Sequence, residues 1–346
     1  MDTSDVYLLA AGTALPGPPL DNARLASRFG MDSMWEQWVD TFIDTPRRHL
    51  ATNIDTGEVE SSLADLGEQA GRQALDAAGV RPQDVDLMVM GTATPDMLMP
   101  ATVNMVADRL GIDGIATYQL QSGCSGAVQA LDVARQLMLT GRHRTALVLG
   151  GDVGAKHQDV TVDLSTLSPA ELVNVVLFGD GCGAAVLGTD PTPDAVAIRS
   201  VFVQLVGLGR APGQVIEWFG SADRGRDPRP AGAEDYKMIE EHVPVMAVEI
   251  LKELLDGVGW REQDIDFLLP PQLSGRMTAR IVDRLALPIA EEISCVRETG
   301  NTGNALAFFQ LERLLPVMRP GDHAIGIAVE SSKWIKSGFA LEKAAA

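Results

Sequence analysis

Cys124 stands in the run Tyr118-Gln-Leu-Gln-Ser-Gly-Cys-Ser-Gly-Ala127, where a strand pattern breaks at Gly123 and a helix pattern begins. A thiol there meets the N–H groups of a helix N-terminus, whose dipole favours the thiolate, the nucleophilic form. The helix behind it (Ala127 to Leu139) carries Val128, Leu131, Ala134, Leu137 and Met138 on one side. A lone cysteine is ordinarily a small core residue. The flanking glycines argue for chemistry, because they let another molecule approach the sulfur and a packing cysteine has no need of them. A second polar turn, Gly300-Asn-Thr-Gly-Asn304, heads the helical stretch Ala305–Leu315. Either asparagine can cap that helix. Two in one turn leave one spare, and Asn301 can donate a hydrogen bond to a thioester carbonyl if the fold brings the two turns together.

A repeat supplies the reason to expect that meeting. Gly79-Val-Arg-Pro-Gln-Asp-Val-Asp-Leu87 returns as Gly259-Trp-Arg-Glu-Gln-Asp-Ile-Asp-Phe267, and Gly141-Arg-His143 returns as Gly321-Asp-His323 in the same register. Each copy leads into an apolar strand: 87–90 and 145–149 in the first half, 267–269 and 324–329 in the second. The chain therefore reads as two similar α/β halves of strand–helix–strand units, 1–190 carrying the thiol and 191–346 carrying the asparagine turn.

These residues resemble β-ketoacyl-acyl-carrier-protein synthase III and its relatives, which share the thiolase fold. The resemblance spans nearly the whole chain. It rests on Leu8-Leu-Ala-Ala-Gly-Thr-Ala-Leu-Pro16, Thr94-Pro-Asp96, the Cys124 motif, Leu177-Phe-Gly-Asp-Gly-Cys-Gly-Ala184 and Gly300-Asn-Thr-Gly303. It implies a layered α-β-α-β-α core, a homodimer, Cys124 as the acyl-accepting nucleophile and Asn301 as the asparagine that assists condensation. The family histidine, in a Pro-His-Gln motif, is absent: Phe267-Leu-Leu-Pro-Pro-Gln-Leu-Ser274 puts Pro271 there. Proline offers no side-chain donor and no exchangeable proton. The stretch Val329-Glu-Ser-Ser-Lys-Trp-Ile-Lys336 also departs from the small residues that the family prefers near the nucleophile.

Of the five histidines, His143 and His323 precede strands, remote from the thiol, His49 fits a polar surface segment and His242 a helix surface. His157 follows a strand expected to run parallel to the one before Cys124, so its loop should open where ligands bind in parallel sheets. It is the candidate substitute base, with Glu298, Glu330 and Lys333 in reserve.

At 346 residues and 46% hydrophobic, the chain can bury a large core divided over two halves. No run of eighteen apolar residues occurs, and Met1-Asp-Thr-Ser-Asp5 lacks a charged, apolar leader. A cytoplasmic protein without a membrane span is the expectation. Cys124, Cys182 and Cys295 are too irregularly spaced for a disulfide framework or a metal cage, and no metal or resident cofactor is expected. The net charge of −19 speaks against nucleic acid and anionic membranes. Arg276, Arg280 and Arg284 nevertheless recur at four-residue spacing on one helix, a basic stripe suited to an acidic carrier protein. By resemblance, Trp35 or Trp38 can stack on a coenzyme A adenine. Phe42 stands where the family often has an arginine for coenzyme A, which favours a carrier-protein donor.

The sequence thus predicts an acyltransferase that takes an acyl group from a phosphopantetheine thioester, on acyl carrier protein or coenzyme A, onto Cys124. It then passes the group to a hydroxyl, amine or carrier thiol in polyketide metabolism. The alternatives are a decarboxylative synthase in which water, Gln272 or His157 replaces the histidine, and a noncatalytic partner of a condensing heterodimer.

Overall fold

The computed structural model describes residues 5–157, 163–164, 167, 169–218 and 232–344. The stretch Phe219-Gly-Ser-Ala-Asp-Arg-Gly-Arg-Asp-Pro-Arg-Pro-Ala-Gly232, whose Gly, Pro and charged residues read as a long surface loop, lies, apart from Gly232, outside the described residues. The principal elements of the first half are β1 (Tyr7–Ala14), α1 (Leu63–Ala78), β2 (Leu87–Thr92), α2 (Thr102–Leu110), β3 (Ala116–Gln121), α3 (Gly126–Leu139), β4 (Thr145–Asp152) and β5 (Gly181–Gly188). The second half repeats the series as β6 (Val196–Leu205), α4 (Tyr236–Val258), β7 (Phe267–Leu269), α5 (Gly275–Leu285), β8 (Glu291–Glu292), α6 (Leu306–Leu314), β9 (His323–Glu330) and β10 (Ile335–Lys343).

These strands form one ten-stranded sheet, ordered β8-β7-β9-β10-β6-β1-β5-β4-β2-β3. Counted outward from the middle, the halves follow the same path, 1-5-4-2-3 and 6-10-9-7-8. β2 pairs parallel with β3 and β4, and β7 does so with β8 and β9. The halves join where Tyr7 and Leu8 of β1 lie opposite Ala197 and Val196 of β6.

The repeated residues do repeated work. Gly79 and Gly259 both take the left-handed conformation that ends α1 and α4 (φ 65° and 74°), a geometry that costs a glycine nothing. Arg81 then pairs with Asp84, and Arg261 with Asp264, both at 2.7 Å. Asp86 accepts from Arg144 N–H and Asp266 from His323 N–H, both at 2.8 Å, holding the starts of β4 and β9.

Strand alternation then builds the layers. Leu87 and Val89 face Val128, Leu131 and Phe308, and Phe267, Leu269 and Phe339 reach the same cluster from the other half. α3 and α6 are therefore a buried middle layer. Met88 and Met90 point the other way, onto Leu66 and Ala70 of α1 and Val106 of α2. Leu268 and Ile325 likewise pack on Ile250 of α4 and Ile281 of α5. The result is the expected α-β-α-β-α stack.

Two local expectations are corrected. Cys182, in a Gly-Asp-Gly-Cys-Gly run that reads as a turn holding a small buried residue, is fully buried but lies in β5. Arg48, beside His49 in the Pro46-Arg-Arg-His segment that reads as polar surface, is 0% exposed and donates to Thr45 O at 2.6 Å and Val176 O at 2.8 Å. Burial lowers its pKa to about 10. Three arginine carbons give the side chain enough apolar stem to be buried where backbone carbonyls receive its head.

Candidate active site

Cys124 lies half-buried between β3 and α3. The N–H groups expected to face a substrate are largely used by the protein itself. Ser125 N–H donates to Glu330 Oε2 at 3.3 Å, Gly126 N–H to Gly123 O at 2.8 Å, and Ala127 N–H to Asn304 Oδ1 at 2.9 Å. The motif's glycines admit these groups: a methyl on Gly123 would overlap both carboxylate oxygens of Glu330, and one on Gly126 would overlap Asn304 Oδ1.

The duplication explains the arrangement. Asp152 closes β4 and Glu330 closes the equivalent β9. Each carboxylate reaches the helix start of the opposite half: Glu330 to Ser125 ahead of α3, Asp152 Oδ2 to Asn304 N–H at 2.9 Å ahead of α6. Asp152 Oδ1 also accepts from Thr92 Oγ1, Ala93 N–H, Thr94 N–H and Thr94 Oγ1. Asn304 Nδ2 donates to Asp152 Oδ2 at 2.9 Å and to Ser122 O at 3.0 Å. Asn304 is the capping asparagine, but the helix it caps by side chain is α3, in the other half.

Asn301 is pinned differently. Its N–H donates to Leu177 O at 2.9 Å, its carbonyl accepts from Gly179 N–H at 3.0 Å, and its Oδ1 accepts from Gly303 N–H at 3.0 Å. Gly300 and Gly303 turn the chain around it with φ of 71° and 56°. With Oδ1 fixed as acceptor, Nδ2 makes no hydrogen bond among the described residues.

Two pockets converge here, sharing Cys124, Phe178, Gln214, Glu234, Asn301 and Gly303. The narrower is apolar, lined by Val128, Leu306, Ile327 and Phe339, and Pro271 forms part of its wall. The wider one is also lined by Thr94, Asp152, His157, Asn174 and the 214–216 and 232–234 strands. Neither is lined by a lysine or arginine among the described residues.

Charge at the sulfur reverses the sequence expectation. Burial first, then Glu330, Asp152 and Glu234, hold the Cys124 thiol well above the ordinary thiol range. The helix dipole does not deliver a thiolate, because its first N–H groups are already capped and burial with three nearby acids outweighs it. Asp152 and Glu330 are themselves raised by burial, and Glu234 is raised to about 7 by burial and by Glu330. Alkylation of Cys124 by iodoacetamide should therefore keep rising through about pH 9 with no plateau near the usual thiol value. Glu330→Gln should move that curve to lower pH, and an early plateau in the parent protein would contradict the arrangement.

The sequence model for 3-oxoacyl-[acyl-carrier-protein] synthase III matches residues 118–204, and that for its C-terminal part matches 255–330. A β-ketoacyl-[acyl-carrier-protein] synthase III of Methylococcus capsulatus is 33% identical over 316 residues, covering 89% of this chain and 90% of the relative. The chain belongs to the β-ketoacyl-acyl-carrier-protein synthase III family. Its stack of layers is the thiolase fold of that family. The structure titled AbyA1, a tetronic acid condensing enzyme, is 62% identical with a TM-score of 0.94, covering 97% of this chain and 99% of that one. The priming β-ketosynthase of the R1128 polyketide pathway is 25% identical with a TM-score of 0.82, covering 99% and 97%.

Against the synthase III pattern, Pro271 stands at the pocket wall with Cys124 and Asn301. Beside it, Gln272 Oε1 accepts from Cys295 N–H at 2.5 Å and Val296 N–H at 2.9 Å. Those two donors fix the amide's orientation, so Nε2 is a donor, buried and without a partner, on a residue that lines the same pocket. His157 lines only the wider pocket. Its Nε2 is also buried without a partner, and burial and Lys156 lower its pKa. Trp38 ends the helix 33–38 and packs, half-buried, on the cluster of Trp35, Val39 and Ile43, away from both pockets. Arg276, Arg280 and Arg284 are exposed on α5, where Arg280 pairs with Glu240 of α4. Asp152 and Glu234 were missed by the sequence reading. Asp152 had one signal, a lone acid closing an apolar strand; Glu234 had none. Among the described residues no group of three or more His, Cys, Asp or Glu is arranged to hold a metal ion, and no helix is long and apolar enough to cross a membrane.

Proposed function

We propose that this synthase III relative joins two thioesters without decarboxylation, through acyl-Cys124, to make a tetronic acid ring or a close analogue. The observation that carries the reading is Pro271 at the wall shared with Cys124 and Asn301, in a site ringed by carboxylates. Malonyl condensation asks the site to hold an anionic carboxylate and to stabilise the enolate left after its loss. Three acids, two of them buried, and the absence of a lining cation among the described residues oppose the first, and the lost histidine removes a donor worth about 10²–10³ in rate. A tetronic ring makes neither demand. It disconnects into a 3-oxoacyl thioester, which supplies the lactone carbonyl and the acidic methylene, and a 2-hydroxyacyl thioester, which supplies the ring oxygen and the second carbonyl. One C–O and one C–C bond form, two thiols leave, and no carbon dioxide is released. The 62% identity to a tetronic acid condensing enzyme supports the same chemistry.

In this reading Cys124 attacks the donor carbonyl, and Asn301 Nδ2 with Gln272 Nε2 donates to carbonyl oxygens in the narrow pocket. The acyl chain lies among Val128, Leu306 and Phe339. The Arg276–Arg280–Arg284 stripe receives an acidic carrier protein, and the protein works as a homodimer.

The test is carbon dioxide release from labelled malonyl-carrier protein with enzyme already acylated at Cys124. The expected result is none, while a 3-oxoacyl donor and a 2-hydroxyacyl thioester give a product equal to their sum less two thiols. Release coupled to a two-carbon extension would establish the decarboxylative reading instead.

A further inference from the structure

The thiol of Cys124 is held protonated, so its attack on a thioester needs a group that removes a proton and can return one. The family histidine is Pro271, and Asn301 and Gln272 only donate. Among the described residues common to both pockets, Glu234 is the one titratable side chain besides Cys124. It ends the 232–234 strand, which pairs antiparallel with 214–216, and Gln214 across the pair donates its Nε2 to Glu234 Oε1. One carboxylate oxygen is thereby fixed, and the side chain is set at the junction of the pockets.

The structure assigns to Glu234 the proton-transfer role of this site, an assignment that rests on the acyl-transfer reading above. In acylation, Glu234 takes the Cys124 proton while sulfur attacks the donor carbonyl. The new S–C bond forms, the donor's C–S bond breaks, and the proton goes to the departing carrier thiolate. In transfer, Glu234 takes the acceptor hydroxyl proton while oxygen attacks the Cys124 thioester. The C–O bond forms, the Cys124 S–C bond breaks, and the proton returns to sulfur. The sum is acyl thioester plus alcohol giving ester plus thiol, with no oxidant or co-reactant.

The surroundings suit a group that must work in both directions. Glu330 of β9 approaches from behind Gly123, Asp152 ends β4, and Tyr236 follows on the same chain; none is a cation that would fix Glu234 as an anion. Burial and the neighbouring Glu330 raise it to about 7, near the pH at which a general acid–base works best. His157, which lines only the wider pocket, is the competing base.

The experiment follows acylation of Cys124 alone by intact mass, using a short acyl N-acetylcysteamine thioester and no acceptor, across pH 5.5–9. This half-reaction reports on Glu234 even if the acceptor chemistry differs from the reading above. Glu234→Gln, which keeps a polar partner for Gln214, should slow loading about 10²–10³-fold and remove the ascending limb near pH 7. Loading from a p-nitrophenyl ester, whose leaving group needs no proton, should be slowed less. Glu234→Asp should restore the limb at reduced rate. Parent-like rate and pH profile in Glu234→Gln, or loss of the limb in His157→Gln instead, would overturn the assignment.

Discussion

Cys124→Ala protein takes up no acyl group from any thioester and turns over about 10⁴-fold or more below the parent, the scale on which nucleophile deletions act. Intact mass reads the result without ambiguity of site. Cys182 and Cys295 are 0% and 2% exposed, and burial pushes both thiols up, Cys295 to about 11. Neither is a competing acceptor. The substitution removes a pocket-lining sulfur and no hydrogen bond that holds α3, so the protein should unfold at close to the parent temperature. A persisting acyl adduct in the variant would move the acyl site elsewhere. Retained turnover without an adduct would mean direct transfer between the two thioesters.

Asn304→Ala should be the most destabilising polar substitution in the site. It strips Ala127 N–H of its acceptor, Ser122 O of a donor, and Asp152 of one of its amides, all at the contact between the halves. Each buried group left unsatisfied costs roughly 1–3 kcal/mol, so a loss of about 3 kcal/mol or more is expected in denaturant unfolding. Activity should fall with it, because a displacement of about 1 Å at the start of α3 is worth about 10² in rate. Asn301→Ala provides the contrast. It gives up one hydrogen bond, to Gly303 N–H, and should unfold within about 1.5 kcal/mol of the parent while losing about 10²–10³ in rate. Equal stability of the two variants would show that Asn304 does not hold the helix start.

Much of the fold was legible because its signals are local. The two copies around Gly79 and Gly259 show the duplication, since a left-handed helix end followed by an Arg–Asp pair needs only six consecutive residues. The α3 stripe of Val128, Leu131, Ala134, Leu137 and Met138 is a helical period, and the structure buries all of them but Leu137, which is half-buried against the same core. Pro271 could be placed by its motif alone, and it does line the pocket with Cys124.

What the sequence could not supply is charge at the sulfur. A helix N-terminus read by itself offers free N–H groups and a favourable dipole, so Cys124 reads as an activated thiolate. The folded protein brings Glu330, more than two hundred residues away, onto Gly123 and Ser125, and Asp152 and Glu234 into the same low-dielectric space. The glycines beside Cys124 announce a close approach; only packing reveals that the visitors there are Glu330 and Asn304. By itself the sequence determined two duplicated halves, a thiol and an asparagine at matching helix starts, and the loss of the histidine. Tertiary structure decided which acids surround that thiol and push its pKa up. Electrostatics depends on distance and burial through space, and neither is encoded in the spacing of residues along the chain.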